Sequence, residues 1–338
     1  MPRAKRTTSL DVAKKAGVSR TTVSFVLNNV PDVTISETTR QRVLEAAREL
    51  DYHPNAAGRK LVSGKSRTLG LVLCQSYQQV AADALLPQVL LGFEQAAIQK
   101  GYQVLLKPVE NDPLGYTKLV NENLVDGILL SGPRQNDPEI IRLHDDGFPV
   151  MLMGQMPGSN IPLVDIDASA GAEAATAHLI ERGHRRIAII TNAPFTFTSA
   201  QQRLEGYSRA LTKCGLSVDG SLVQAGNYTP ASGYEAMMKL LVLPERPTAV
   251  FVASDVVAMG AILAIHRASL RIPDDIAIVG FDDIPLAEFF YPPLTTIHLP
   301  AFSLGLAAGE RLVRLIQNEG LDTEAVLMQS NLVVRESS

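Results

Sequence analysis

Tryptophan is absent from the chain and aromatic residues make up only 5 % of it, so ligand binding has no indole to report it by fluorescence. The two cysteines, Cys74 and Cys214, are far apart in sequence. That is too few for a disulfide framework, and both read as packing residues of a reducing compartment. No stretch reaches the ~18 consecutive apolar residues of a membrane-spanning helix. Behind Met1-Pro2-Arg3-Ala4-Lys5-Arg6 there is no apolar run, which reads as the absence of a signal peptide and predicts a cytoplasmic protein. The six histidines show neither an HExxH pattern nor metal-ligand spacing with cysteine, so no metal and no cofactor is expected. Gly64-Lys65-Ser66 looks like the end of a phosphate loop, but Gly58 lies one residue too far upstream and no strand precedes it. With no convergent nucleophile or acid–base pair either, the chain does not read as an enzyme.

What is present is an uneven charge. Residues 1–66 hold 12 Lys+Arg against 6 Asp+Glu, a charge of +6, while the remainder holds 19 against 29, a charge of −10. A basic head on an acidic body suits contact with a polyanion at one end. The same head carries two short helical patterns around Gly17. Thr8 or Ser9 can cap the first and Ser19 the second. Val12, Ala13 and Ala16 form one apolar stripe, and Val23, Val26 and Leu27 another, so the two helices can pack together. Arg20, Thr21, Ser24, Phe25 and Asn28 are left on the outer face of the second. Hydroxyls, an amide and a guanidinium are what phosphates and base edges require. This is a helix-turn-helix with a reading helix. A third helix opens at Ser36, with Val43, Leu44, Ala47 and Leu50 expected to face inward.

Beyond Ser66, short apolar strands alternate with amphipathic helices. Leu69–Cys74, Gln103–Leu106, Gly127–Leu130, Val150–Met153, Ile187–Ile190, Val250–Ala253 and Ala277–Phe281 read as strands. The helices are predicted over 85–100, 171–182, 200–214, 232–243, 256–269 and 301–318. The pattern predicts parallel sheets covered on both faces, and its length favours two lobes over one open sheet.

Three segments give these features a family likeness: the reading helix, the stretch from Tyr52 to Ser66, and Pro292-Pro293-Leu294-Thr295-Thr296-Ile297. Over essentially its whole length the chain resembles LacI-type transcriptional regulators. The resemblance implies an α + α/β architecture: a headpiece (1–54), a hinge helix (55–66) and a two-lobed periplasmic-binding-protein-like body (67–338) of two doubly wound parallel sheets. Lobe one would take 67–165 plus 297–324, and lobe two 166–296 plus 325–338. It also implies a homodimer on pseudo-palindromic double-stranded operator DNA. Arg20 and Thr21 match base-reading positions, and Thr8, Ser19, Thr22, Ser24 and Asn28 phosphate-binding ones. Phe25 stands where many members have arginine. In the hinge, Asn55, Ala57 and Leu61 would approach the minor groove, Leu61 as a wedge, and Gly58 replaces the usual alanine.

The resemblance further implies a small-molecule effector, expected to be a sugar, in the cleft between the lobes. Arg203, Ser254, Asp255 and Asp282 match its binding positions, with Arg203 and Asp282 facing each other across the cleft; the same two residues can equally form a structural ion pair. Ser254 replaces the usual asparagine. The family's frequent Asn-Pro-Phe-Phe loop is missing after Cys74. The implied function is repression of carbohydrate-utilisation genes. The alternatives are a periplasmic-type sugar-binding protein and a regulator responding to a non-sugar ligand such as a purine.

Overall fold

The computed structural model describes residues 7–27, 33–52, 64–110, 115–319 and 325–338. The chain divides into two compact units, Met1–Ser66 and Arg67–Ser338. In the first, α1 (Ser9–Ala16), α2 (Arg20–Leu27) and α3 (Glu37–Glu49) pack around Val12, Ala16, Val23, Val26 and Val43. Thr8 precedes α1, its backbone N–H and its hydroxyl both donating to the Asp11 carboxylate at 2.9 and 2.7 Å. Gly17 ends α1 at φ +66°, a left-handed conformation that costs glycine little. Ser19 then starts α2 by accepting from the Thr22 N–H at 3.0 Å. Leu44, expected inside, is exposed; Ala46 takes the inward position.

The second unit is built on two six-stranded sheets. Its elements run β1 (Thr68–Leu73), α4 (Tyr77–Ala82), α5 (Leu86–Gln99), β2 (Gln103–Pro108), α6 (Gly115–Asn121), β3 (Gly127–Ser131), α7 (Pro138–Asp145), β4 (Val150–Met153) and β5 (Leu163–Ile166). There follow α8 (Ala168–Glu181), β6 (Ile187–Ile190), α9 (Thr198–Lys213), β7 (Val223–Gln224), α10 (Pro230–Leu241), β8 (Ala249–Val252), α11 (Asp255–Arg267), β9 (Ala277–Asp282) and β10 (Thr295–His298). The last elements are α12 (Ala301–Gln317), β11 (Val326–Met328) and β12 (Asn331–Val333).

The strand orders are β11-β5-β4-β3-β1-β2 and β12-β10-β9-β8-β6-β7. Every pairing is parallel except β10 with β12, which is antiparallel. The expected all-parallel sheet therefore has one reversed edge. The lobe boundaries also move: β11 joins the first sheet and β10 the second, so the chain crosses after Ile166, after His298 and between Met328 and Asn331. Cys214, expected to pack, is exposed at the end of α9, whereas Cys74 is buried.

Leu69, Leu71, Leu129 and Met151 of lobe one are covered by Phe93 of α5 and Leu304 and Leu312 of α12, all buried. The two helices approach so closely that a Cβ on Gly305 would stand 2.1 Å from the Val89 carbonyl oxygen.

Candidate functional site

Two surfaces gather the residues singled out by the sequence. On the first unit, Ser19, Arg20 and Thr21 are exposed at the start of α2, and Thr22, Ser24 and Phe25 are half-buried along it. Thr8 is exposed beside α1. Arg20 does not hang free: its Nε donates to the Ser9 hydroxyl at 3.3 Å. That contact holds the guanidinium by one edge at the exposed start of α2, and an arginine so placed can offer a bidentate fork to a guanine edge. The expected contacts Asn28, Asn55, Ala57 and Leu61, with Gly58, lie outside the described residues.

On the second unit, a cavity of about 180 Å³ lies where strand ends of both lobes meet. Leu73, Ser131, Met153 and Ile166 end strands of lobe one there, and Asp282 ends β9 of lobe two. This is the carboxyl-end crevice in which open α/β sheets receive ligands. Lobe two supplies Arg203 from α9, 6 % exposed. Its Nη1 donates to the Ala253 carbonyl, its Nη2 lies 3.6 Å from Asp282, and its guanidinium sits 4.0 Å above the Phe281 ring. Arg203 and Asp282 thus do not face each other across the cleft; they are an ion pair within one lobe, presented to the cavity together.

Asp282 adopts φ +118°, a region ordinarily left to glycine, so its backbone is strained. Asp255 explains how that conformation is held. Its Oδ2 accepts from the Ile284 N–H at 3.0 Å and its Oδ1 from the Thr296 hydroxyl at 2.6 Å, pinning the loop after β9. Asp255 was expected to bind effector, but it is fully buried and is not among the cavity's lining residues. It ties the loop after β9 to β10 instead. Burial and the neighbouring Asp282 raise its carboxyl well above the ordinary range. Burial also pushes Asp282 up to about 6, against the opposing pull of Arg203 and a hydrogen bond from Ser254. Ser254 lines the cavity.

The structure adds residues that the sequence reading missed, among them Gln75 and Asn192. These two line the cavity with Arg203, and Gln75 Oε1, Asn192 Oδ1 and Arg203 Nε are buried without a hydrogen-bond partner. Asp83 and Asp165 line it from lobe one, and burial pushes the Asp165 carboxyl up to about 6. Tyr228 reaches it from a backbone at φ +59°, its ring set edge-on against Phe197 at 5.5 Å. Gln75 and Asn192 each follow a strand by two residues, which is the signal that could have found them. The lobes also hold one another directly. Gln79 Nε2 donates to Asn227 Oδ1 at 2.7 Å, and the Pro133 carbonyl accepts from the Thr198 hydroxyl at 3.2 Å. Among the described residues no helix is long and apolar enough to cross a membrane.

Comparison with known proteins finds a family match in each of the two units. Residues 8–55 match the family described as bacterial regulatory proteins, lacI family, and residues 176–338 match a periplasmic binding protein-like domain. The chain is 36 % identical to the HTH-type transcriptional regulator CelR of Thermobifida fusca over 100 % of both chains. It is 34 % identical to the HTH-type transcriptional repressor PurR of Histophilus somni over 97 % of both. Among solved structures, a CelR–cellobiose complex matches with a TM-score of 0.76 at 34 % identity, over 98 % of this chain and 100 % of that one. The Lac repressor dimer bound to operator and the anti-inducer ONPF matches with a TM-score of 0.83 at 29 % identity, over 98 % and 99 %. With a helix-turn-helix in one unit, two parallel-sheet lobes in the other, and relatives matched from end to end, the chain belongs to the lacI family of bacterial DNA-binding transcriptional regulators.

Proposed function

We propose that this regulator is a homodimeric cytoplasmic repressor, not an enzyme, whose hold on a pseudo-palindromic operator is set by a sugar in the interlobe cleft. The observation that carries the effector half is the trio of buried, unpartnered polar atoms, Gln75 Oε1, Asn192 Oδ1 and Arg203 Nε, on one cavity. A buried polar atom without a partner costs ~1–3 kcal/mol, and a bound ligand that pairs all three removes that cost. Lobe one supplies Gln75, and lobe two supplies Asn192 and Arg203. A ligand that satisfies them therefore binds one lobe arrangement better than any other, and only such differential affinity can shift an equilibrium. The likeness to a protein solved with cellobiose supports a sugar, and the likeness to the operator-bound Lac repressor supports a dimer on operator DNA.

The test is selection of DNA fragments by the full-length protein, followed by gel shift under titration with mono- and disaccharides. A two-fold symmetric sequence should be enriched, and one sugar should change its occupancy. Enrichment of no symmetric sequence would overturn the proposal.

A further inference from the structure

We infer that the cleft takes an uncharged, hydroxyl-rich ligand and turns anions away, with Asp83 and Asp165 of lobe one setting that selectivity. The inference rests on the effector reading above and narrows it to a chemical class. Its first support is the charge around the cavity. The described lining residues carry three carboxylates, Asp83, Asp165 and Asp282, and a single guanidinium, that of Arg203. Arg203 is already committed to Asp282, the Ala253 carbonyl and the Phe281 ring. A phosphate or carboxylate on the ligand would therefore meet an excess of negative charge in a buried space, where water screens little.

The second support is the hydrogen-bonding inventory. Gln75 and Asn192 each present an amide oxygen with no partner, and Arg203 presents an N–H. The ligand must donate to the first two and accept from the third. A hydroxyl does both, whichever way an amide is turned, whereas a phosphate oxygen in its ionised form only accepts. Asp83 reinforces this demand. Its Oδ1 is occupied by the Leu85 and Leu86 N–H groups at 2.9 and 3.1 Å, which fixes the carboxylate at the start of α5 as a further acceptor.

The third support is the shortage of flat surfaces. Tyr228 is the aromatic among the described lining residues, and the face of Phe281 is covered by Arg203. A planar base has one ring to lie on and no second plate to close over it, while a puckered ring with C–H and O–H groups needs only one.

The experiment is calorimetric titration of the full-length protein with glucose, galactose and cellobiose, with the 6-phosphates of the two hexoses, and with hypoxanthine. At least one uncharged sugar should bind, at least tenfold tighter than its 6-phosphate and than hypoxanthine. In the Asp83→Asn and Asp165→Asn variants, checked for fold by circular dichroism, the preference over the 6-phosphate should shrink by at least threefold each. A 6-phosphate or hypoxanthine binding as tightly as the uncharged sugars would overturn the inference while leaving the effector reading intact. A preference unchanged in both folded variants would also overturn it. A protein that binds none of the panel would overturn the inference and the sugar reading together.

Discussion

Replacing Arg203 by alanine isolates the energetics of the cleft. The substitution leaves Asp282, itself only 8 % exposed, as a buried carboxylate without its counter-charge. It also removes the donor to the Ala253 carbonyl and the cation above Phe281. Removing one partner of a buried pair costs ~3–5 kcal/mol, because the remaining charge stays desolvated. At roughly 2–4 °C per kcal/mol, the melting temperature should fall by about 6–20 °C at pH 8. The loss should depend on pH. Asp282 already sits at about 6 with Arg203 in place, and loss of the guanidinium raises it further. Its unfolded value is ~3.9. The penalty is therefore complete above the folded-state value and shrinks as pH falls through it, since the native state then takes up a proton that the unfolded state does not. Thermal unfolding followed by circular dichroism at pH 8 and pH 5.5 should show the deficit of Arg203→Ala narrowing at the lower pH. Adding Asp282→Asn should recover much of the loss at pH 8, because replacing both charges is far less costly than stranding one. An equal deficit at both pH values, with a double variant that loses the sum of the singles, would refute the reasoning.

Other outcomes can be measured as readily. Arg20→Ala should cost ~1–3 kcal/mol on the selected operator and much less on random DNA. Ser9→Ala, which frees the Arg20 Nε, should lose part of the same discrimination while leaving the salt dependence of binding unchanged; equal losses on both DNAs would make Arg20 a phosphate contact. Sugar affinity should hold steady above pH 7 and fall below pH 6, where Asp165 and Asp282 take up protons and become weaker acceptors for ligand hydroxyls, by at most about tenfold per pH unit for each group. Calorimetry at pH 5 and 7.5 decides it, and a flat profile would mean that neither carboxylate bonds the ligand. Gly305→Ala should destabilise the body by ~1–3 kcal/mol in denaturant unfolding, since the new methyl would stand 2.1 Å from the Val89 carbonyl oxygen.

The inner strands are legible in the sequence because helices cover both faces and leave unbroken apolar runs such as Ile187–Ile190. The strands at or near the crossing edge are not. Leu163–Ile166 and Thr295–His298 carry polar residues, and Val326–Met328 and Asn331–Val333 are three-residue edge strands. Pairing partners distant in sequence create them, and no local pattern announces such partners. The same division runs through the cleft. Arg203 and Asp282 stand out through the motifs around them, but a motif gives no side-chain direction. Asp255 and Asp282 therefore look alike in sequence, although one lines the cavity and the other turns to Ile284 and Thr296. Gln75 and Asn192 are lone amides after strands, and only the meeting of two lobes leaves them unpartnered.

The three passages between the lobes leave from neighbouring strands: β5, β10, and the pair β11 and β12. Two residues separate Met328 from Asn331. Three virtual Cα bonds of ~3.8 Å hold the two sheet edges within about 11 Å of each other in every state the chain can adopt. The opposite edges, β2 and β7, have no such tether. The body is therefore a jaw whose pivot lies along the β11–β12 side. A small rotation there is magnified towards the far side, where Gln79 meets Asn227. In such a jaw a change of angle at the pivot becomes a change in the distance between far points of the two lobes.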